Sequence, residues 1–440
     1  MIQAIQLLLS LSILVVLHEF GHYITAKMFG CRVEKFYLFM DWKFAIFKRK
    51  IGETEFGLGW LPLGGYVKIS GFVDESMDDS NLDTPPEPWE LRAKPAWQRL
   101  IVMLGGVVVN ILLAWFIYSM ILFSWGETYM PIKALDDGFS FNEGGEMLGF
   151  VDGDILTAVD GAELIEYDPM SLASSILFEG AKEIQLIRSK KSMTLEIDPN
   201  SVNRVINDIS SFSGNLIEPN IQWIVGGFVS GSLGEKHGLK VGDQITLINK
   251  MKTSFYNNEI REYLQSQANQ SILLTILRDG DIKELSVPLS EDGFLGVIPS
   301  TKKYEKTRSF SFLQSFPAGF VKTKNMTTMY WGQVKTIFNP KTGGYKHVGG
   351  VISIGKMFPG EWNWFVFWSM TALLSIILAI MNLLPIPALD GGHALIAIGE
   401  MLTGKKLPVK ILMPLQVAGM VMLFALLIYA NGMDVIRLFN

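Results

Sequence analysis

The chain has 440 residues, of which 49% are hydrophobic and 18% charged, with a formal net charge of −5 and a mean hydropathy of +0.28. Charge this thin (about 25% is usual in soluble domains) points to a membrane protein carrying a sizeable water-soluble part, and the acidic balance excludes a general nucleic-acid binder. The lone cysteine, Cys31, excludes an intrachain disulfide framework.

Residues 2–26 form the first of four segments apolar enough to cross a bilayer, which takes about 20 residues. No Lys or Arg occurs from Met1 to Leu17 and no small-x-small cleavage site follows, so the segment reads as a retained membrane helix. Within it stands His18-Glu19-x-x-His22. Positions i and i+4 of a helix share a face, so both imidazoles can reach one metal ion, with Glu19 beside that face and able to reach a water. Charged groups at membrane depth cost about 2.5–3.5 kcal/mol each, and three ionisable residues in five positions are hard to explain as packing.

The next loop is basic, from Arg32 through Lys48-Arg49-Lys50 to Arg99, and its Pro-rich stretch, Asp83 to Pro88, reads as a flexible link. The second span, residues 100–123, is interrupted mainly by Asn110 and Ser119. Residues 125–300 read as soluble and contain an internal repeat. Gly149-Phe-Val-Asp-Gly-Asp-Ile-Leu-Thr-Ala-Val-Asp-Gly161 aligns with Gly238-Leu-Lys-Val-Gly-Asp-Gln-Ile-Thr-Leu-Ile-Asn-Lys250. Each copy is a Gly-Asp turn, a β-branched strand and a second turn. Residues 310–338 form an amphipathic, helix-compatible stretch with Lys322, Lys324 and Lys335 among aromatics. It fits either the outer membrane surface or a soluble helix packed on the second copy.

The third span, residues 362–384, opens on an aromatic belt (Trp362, Trp364, Phe365, Phe367, Trp368) and runs into Asn382-Leu-Leu-Pro-Ile-Pro-Ala-Leu-Asp-Gly-Gly-His393. Pro385 and Pro387 break the helix there, which is tolerated where backbone lines a watery cavity or is buried in protein. A catalytic zinc usually takes three protein ligands. His237 and His347 lie in the outer region, so the candidates for the third are Asp390 and His393. Asp390 is preferred because one carboxylate beside two neutral imidazoles offsets the dication. The fourth span is about 411–430. Lys and Arg in the loops joining spans one to two and three to four put both loops in the cytoplasm, with the termini and the central region outside.

These motifs resemble those of the site-2 protease family of intramembrane zinc metalloproteases, most closely its RseP-like bacterial branch with tandem PDZ domains. Leu17-His-Glu-Phe-Gly-His-Tyr23 matches one family motif and Asn382-x-x-Pro-x-Pro-x-Leu-Asp-Gly-Gly392 the other. Leu61-Pro-Leu-Gly-Gly-Tyr-Val-Lys68 looks like the family's membrane-associated β-hairpin. The resemblance implies a polytopic α-helical membrane protein with four transmembrane helices, that hairpin, and two extracytoplasmic PDZ-like α+β domains. The expected divisions are 1–124 (first membrane half), 125–217 and 218–300 (PDZ-like), 301–361 (amphipathic linker) and 362–440 (second membrane half). It implies zinc held by His18, His22 and Asp390, with Glu19 as base and then acid. It places Asn382 near the substrate or the transition-state oxygen, with Pro385, Pro387, Gly64, Gly65 and Tyr66 among the substrate-contacting residues.

The implied substrates are single-pass membrane proteins, an anti-sigma factor or remnant signal peptides in a bacterial inner membrane. The PDZ-like pair would exclude bulky substrates or bind peptide C-termini on the periplasmic side. Two departures lack the family's proline: Gly106-Val-Val-Val-Asn110, against Gly-Pro-x-x-Asn, and Val348-Gly-Gly350, against Ser-Gly-Pro. The competing expectation is a non-enzymatic membrane scaffold presenting two peptide-binding domains.

Overall fold

The computed structural model describes residues 1–72, 85–208, 212, 214–229, 231–338 and 348–439. His347 and residues 83–84 of the Pro-rich stretch lie outside the described residues. The chain divides into two compact units, residues 1–126 with 309–440, and residues 127–308.

The first unit is built on helix α1 (Ile2–Met28), strands β1 (Val33–Ile51) and β2 (Thr54–Ile69), and helices α2 (Ala96–Trp125), α3 (Phe312–Phe338), α4 (Val351–Lys356), α5 (Trp364–Leu383), α6 (Asp390–Thr403) and α7 (Val409–Phe439). Among the described residues, α1, α2, α5 and residues Ile411–Arg437 of α7 are long and apolar enough to cross a membrane. Their outward faces carry Phe116, Val421, Phe424 and Ile428, as a lipid-facing surface requires. Glycines bring α1 and α2 into close contact. A Cβ on Gly105 would sit 2.6 Å from the Gly21 carbonyl oxygen, and one on Gly21 would overlap the Gly105 carbonyl. Small residues that let backbones approach are the common device of helix packing in lipid.

Helix α3 occupies the stretch read from sequence as an amphipathic linker, and it packs along α2. Trp115 Nε1 donates to the Phe316 carbonyl at 2.8 Å, its ring lies 5.8 Å from that of Phe320, and Gly319 rests on Ser119. Farther along, Val334 is buried in a cluster with Ala114, Ile117, Ile376 and Ile380. The apolar face thus finds a partner helix, and Lys324 stays exposed while Lys322 is half-buried.

The hairpin is more folded than its sequence suggests. Val33–Leu38 pair antiparallel with Gly65–Ile69, and Ala45–Ile51 pair antiparallel with Thr54–Gly59. Residues 35–38 also run beside 55–58 in the same direction, from Lys35 with Glu55 to Leu38 with Leu58. Four segments therefore lie side by side. Strand β2 thus separates into an interior segment, 54–59, and an edge, 65–69.

The second unit contains two four-stranded sheets with the same strand order. Residues Ile155–Val159 correspond to Gln244–Ile248, Glu183–Arg188 to Ser271–Arg278, and helix Pro169–Leu177 to Asn258–Ser266. The repeated Gly-Asp turn does the same job twice. Asp154, with 1% side-chain exposure, takes a bidentate pair from Arg188 (2.8 and 2.7 Å), and Arg188 also donates to the Gly149 carbonyl. Asp243, equally buried, takes the same pair from Arg278 (both 2.6 Å), and Arg278 donates to the Gly238 carbonyl. Each copy has its own apolar core, around Leu156, Ile184 and Leu186 in the first and Ile245, Ile272 and Leu274 in the second. The first adds helix Pro199–Asp208, which sinks Val205 into its core. The unit closes beyond the expected limit of 300, because Lys306–Arg308 pair with Glu127–Tyr129. Arg308 stacks 4.5 Å from the Tyr129 ring and pairs with Glu166 at 3.1 Å.

Candidate metal centre

One turn of α1 presents both histidines. Their Nε2 atoms are 3.2 Å apart, and Asp390 Oδ2 stands 3.2 Å from that of His18 and 3.4 Å from that of His22. Asp390 is the first residue of α6, where a carboxylate also faces the favourable end of the helix dipole. Residues 384–389, bent at Pro385 and Pro387, separate α6 from α5 and let it turn away. Two glycines permit the bend: a Cβ on Gly391 would overlap the Leu383 carbonyl, and one on Gly392 the Ile386 carbonyl. Ala388 takes φ +101°, an uncommon conformation for a residue with a side chain.

The three ligand atoms lie within 4.8 Å of one another. Asp390 Oδ2 is buried with no hydrogen-bond donor aimed at it. Two imidazole nitrogens and a carboxylate oxygen thus converge on one point. A divalent cation that accepts nitrogen and oxygen ligands fits this set, and zinc does so with three protein ligands and one position left open. His393 stands apart from the group. It lines the same cavity, and its ring packs edge-on against Phe72 at 4.8 Å between centroids.

The group opens on a cavity of about 700 Å³, lined by Glu19, Asn382, Gly64, Gly65 and Tyr66 as well as by the three converging residues. Pro385 and Pro387 are not among its lining residues; they shape the bend behind it. Asn382 Nδ2 is 3.1 Å from His18 Nε2. Edge segment 65–69 forms one wall. The backbone N–H of Val67 faces the Glu19 carboxylate, and a Cβ on Gly65 would press 2.7 Å from Val15. Gly64 has φ +94°, which a side chain would strain. Tyr66 donates to Asp41 Oδ1 at 2.8 Å, stacks on Tyr37, and Lys35 pairs with Asp41 at 3.2 Å. Burial pushes the Asp41 carboxyl upward, but the Tyr66 and Lys35 hydrogen bonds outweigh it and hold the group below the usual carboxylate range.

Two contributions from α2 were not read from the sequence. The Val102 carbonyl accepts from His22 Nδ1 at 2.8 Å. Gly106 makes room for both rings, since a Cβ there would lie 2.5 Å from His18 Cε1 and from His22 Nε2. The spacing of four between these residues on an apolar helix was the available signal.

A model of a protein family described as peptidase family M50 matches residues 6–426. The chain is 27% identical to the regulator of sigma E protease of Haemophilus influenzae, over 98% of each chain. It is 27% identical, over 90% of each chain, to a protein of Neisseria meningitidis serogroup A whose name contains the words zinc metalloprotease. A Clostridium perfringens protein with those words in its name is 25% identical over 98% of this chain and 97% of its own.

Proposed function

The chain belongs to peptidase family M50, and from that premise we propose that Glu19, with zinc held by His18, His22 and Asp390, cleaves membrane-spanning segments of single-pass membrane proteins. The protein is a zinc metalloendopeptidase integral to the membrane. The observation that carries the assignment of residues is the convergence of three ligand atoms, from the two ends of the chain, on one cavity.

When bound, zinc polarises the scissile carbonyl and lowers the pKa of water toward about 7. Glu19 takes a proton from the attacking water and returns it to the leaving amine. Asn382 donates from Nδ2 to the oxygen on which charge develops. A substrate helix must unwind before its carbonyls are exposed, and its freed backbone groups need partners. Edge segment 65–69 supplies them by strand addition, with Gly64, Gly65 and Tyr66 at the contact.

The loops rich in Lys and Arg support an extracytoplasmic position for residues 127–308, in a bacterial inner membrane. The two repeats act there as PDZ-like domains that control entry. The second repeat is the better candidate for binding a peptide C-terminus. It has a cavity of about 430 Å³ between helix Asn258–Ser266 and the Gly293-Phe-Leu-Gly296 turn, lined by Trp223, Tyr256, Leu264 and Val297. The sigma E wording in the Haemophilus relative's name agrees with an anti-sigma factor as substrate; remnant signal peptides are the other substrate class.

The test compares membrane peptides from cells carrying wild type or Glu19→Gln by mass spectrometry. Cleavage products present with wild type should vanish with the variant, while zinc content stays the same. Identical peptide sets would sink the proposal and favour a scaffold that only binds peptides.

A further inference from the structure

The α1 histidines need more than an i, i+4 spacing to act together. Each must turn the same nitrogen inward and hold its proton on the other. The inward atoms are the Nε2 pair, 3.2 and 3.4 Å from Asp390 Oδ2. An imidazole that uses Nε2 as a ligand while neutral carries its proton on Nδ1, and that N–H needs an acceptor when buried. His22 has one in the Val102 carbonyl. For His18 the side chain at hydrogen-bond distance from Nδ1 is that of Asn110, 3.0 Å away and fully buried.

The amide of Asn110 has two orientations of equal shape, and hydrogen-bond chemistry decides between them. With Nδ2 toward the ring, two donors would face each other at 3.0 Å, and Oδ1 would be left buried with no partner. With Oδ1 toward the ring, the imidazole N–H is accepted, and Nδ2 takes the other buried position. The backbone of Asn110 is itself fixed, since Ser375 Oγ on α5 donates to its carbonyl at 2.7 Å inside the bundle. Val102, Gly106 and Asn110 follow one another at intervals of four, so a single face of α2 addresses both rings.

We infer that Asn110 is a positioning residue whose side-chain oxygen accepts the His18 Nδ1 proton and thereby fixes the ring with Nε2 toward the metal. This rests on the zinc site proposed above. Partners of this kind, behind a ligand, typically change metal affinity by about 10–100-fold when removed.

The test measures zinc affinity of the full chain in detergent by chelator competition, for wild type, Asn110→Leu and Asn110→Asp. Asn110→Leu should bind zinc about 10–100-fold more weakly. Asn110→Asp keeps an acceptor at the same place and should stay near wild type. With cobalt in place of zinc, the visible absorption should change in the Leu variant and be kept in the Asp variant. Wild-type affinity in the Leu variant, or equal weakening in both variants, overturns the inference.

Because a buried Asp could unfold the chain, a second measurement needs no variant at that position. In zinc-loaded wild type with 15N-labelled histidine, assigned by loss of the His18 signal in His18→Ala, the His18 proton should sit on Nδ1. A metal-bound Nδ1 would overturn the inference. Failure of wild type to bind zinc would sink the zinc site itself, which separates the two outcomes.

Discussion

Both units bury carboxylates, and they treat them in opposite ways. In the outer unit, Asp154 and Asp243 are each closed off by a bidentate arginine and a backbone N–H, from Val151 and Lys240 respectively. In the membrane unit, Asp390 faces two histidine nitrogens, and its Oδ2 has no donor. A satisfied buried charge holds a fold together, whereas an unsatisfied one, aimed at other acceptors, is arranged for something that arrives later. The difference separates a structural acid from a candidate ligand without reference to any motif.

The sharpest way to break this contrast is to remove each charge in turn. Asp390→Asn should abolish zinc binding and cleavage while the protein still inserts and its outer unit unfolds as in wild type; zinc content by elemental analysis checks it. Asp243→Asn should do the reverse. Breaking one side of a buried pair costs about 3–5 kcal/mol, so thermal or denaturant unfolding of the outer unit should shift markedly with zinc content unchanged. Asp154→Asn should act in the same direction but less, because Arg188 is more exposed than Arg278 (29% against 16% of the side chain) and water takes up part of the loss.

The smallest effect is in pH. Burial pushes the Asp243 carboxyl up, but Arg278 and the Lys240 N–H bring it below the usual carboxylate range. A lowered folded-state pKa stabilises above the unfolded value and is lost as pH falls through the folded one. The stability that Asp243 supplies should therefore be lost as pH falls below the usual carboxylate range, and Asp243→Asn should remove that part of the pH dependence. An unchanged acid transition in the variant would remove Asp243 from the account.

Much of the site was legible from sequence because its chemistry is local. His18, Glu19 and His22 share one helical turn, and Asp390 announces itself by following two prolines and preceding two glycines. The repeat was legible because Gly149 to Asp154 and Gly238 to Asp243 keep the same turn chemistry, although the arginines that complete it lie 34 and 35 residues beyond the aspartates. What escaped depends on partners. Helix α3, with its lysines, reads as a surface element until Trp115 and Ser119 are seen to cover its other face. Helix α6, 14 residues long, is too short to register as a span and begins at the motif itself. The folding back of β1 and β2 depends on register, which alternation of side chains alone does not specify.

The proposed metal site joins residues that leave the ribosome at very different times. Asn382 follows His18 by 364 positions, and Asp390 comes later still, with the whole outer unit made in between. During synthesis the first helix can sit in the bilayer with the two proposed ligands and the proposed base in place and still lack a complete site. On the proposed assignment, hydrolytic competence is deferred until the bend after α5 has been inserted.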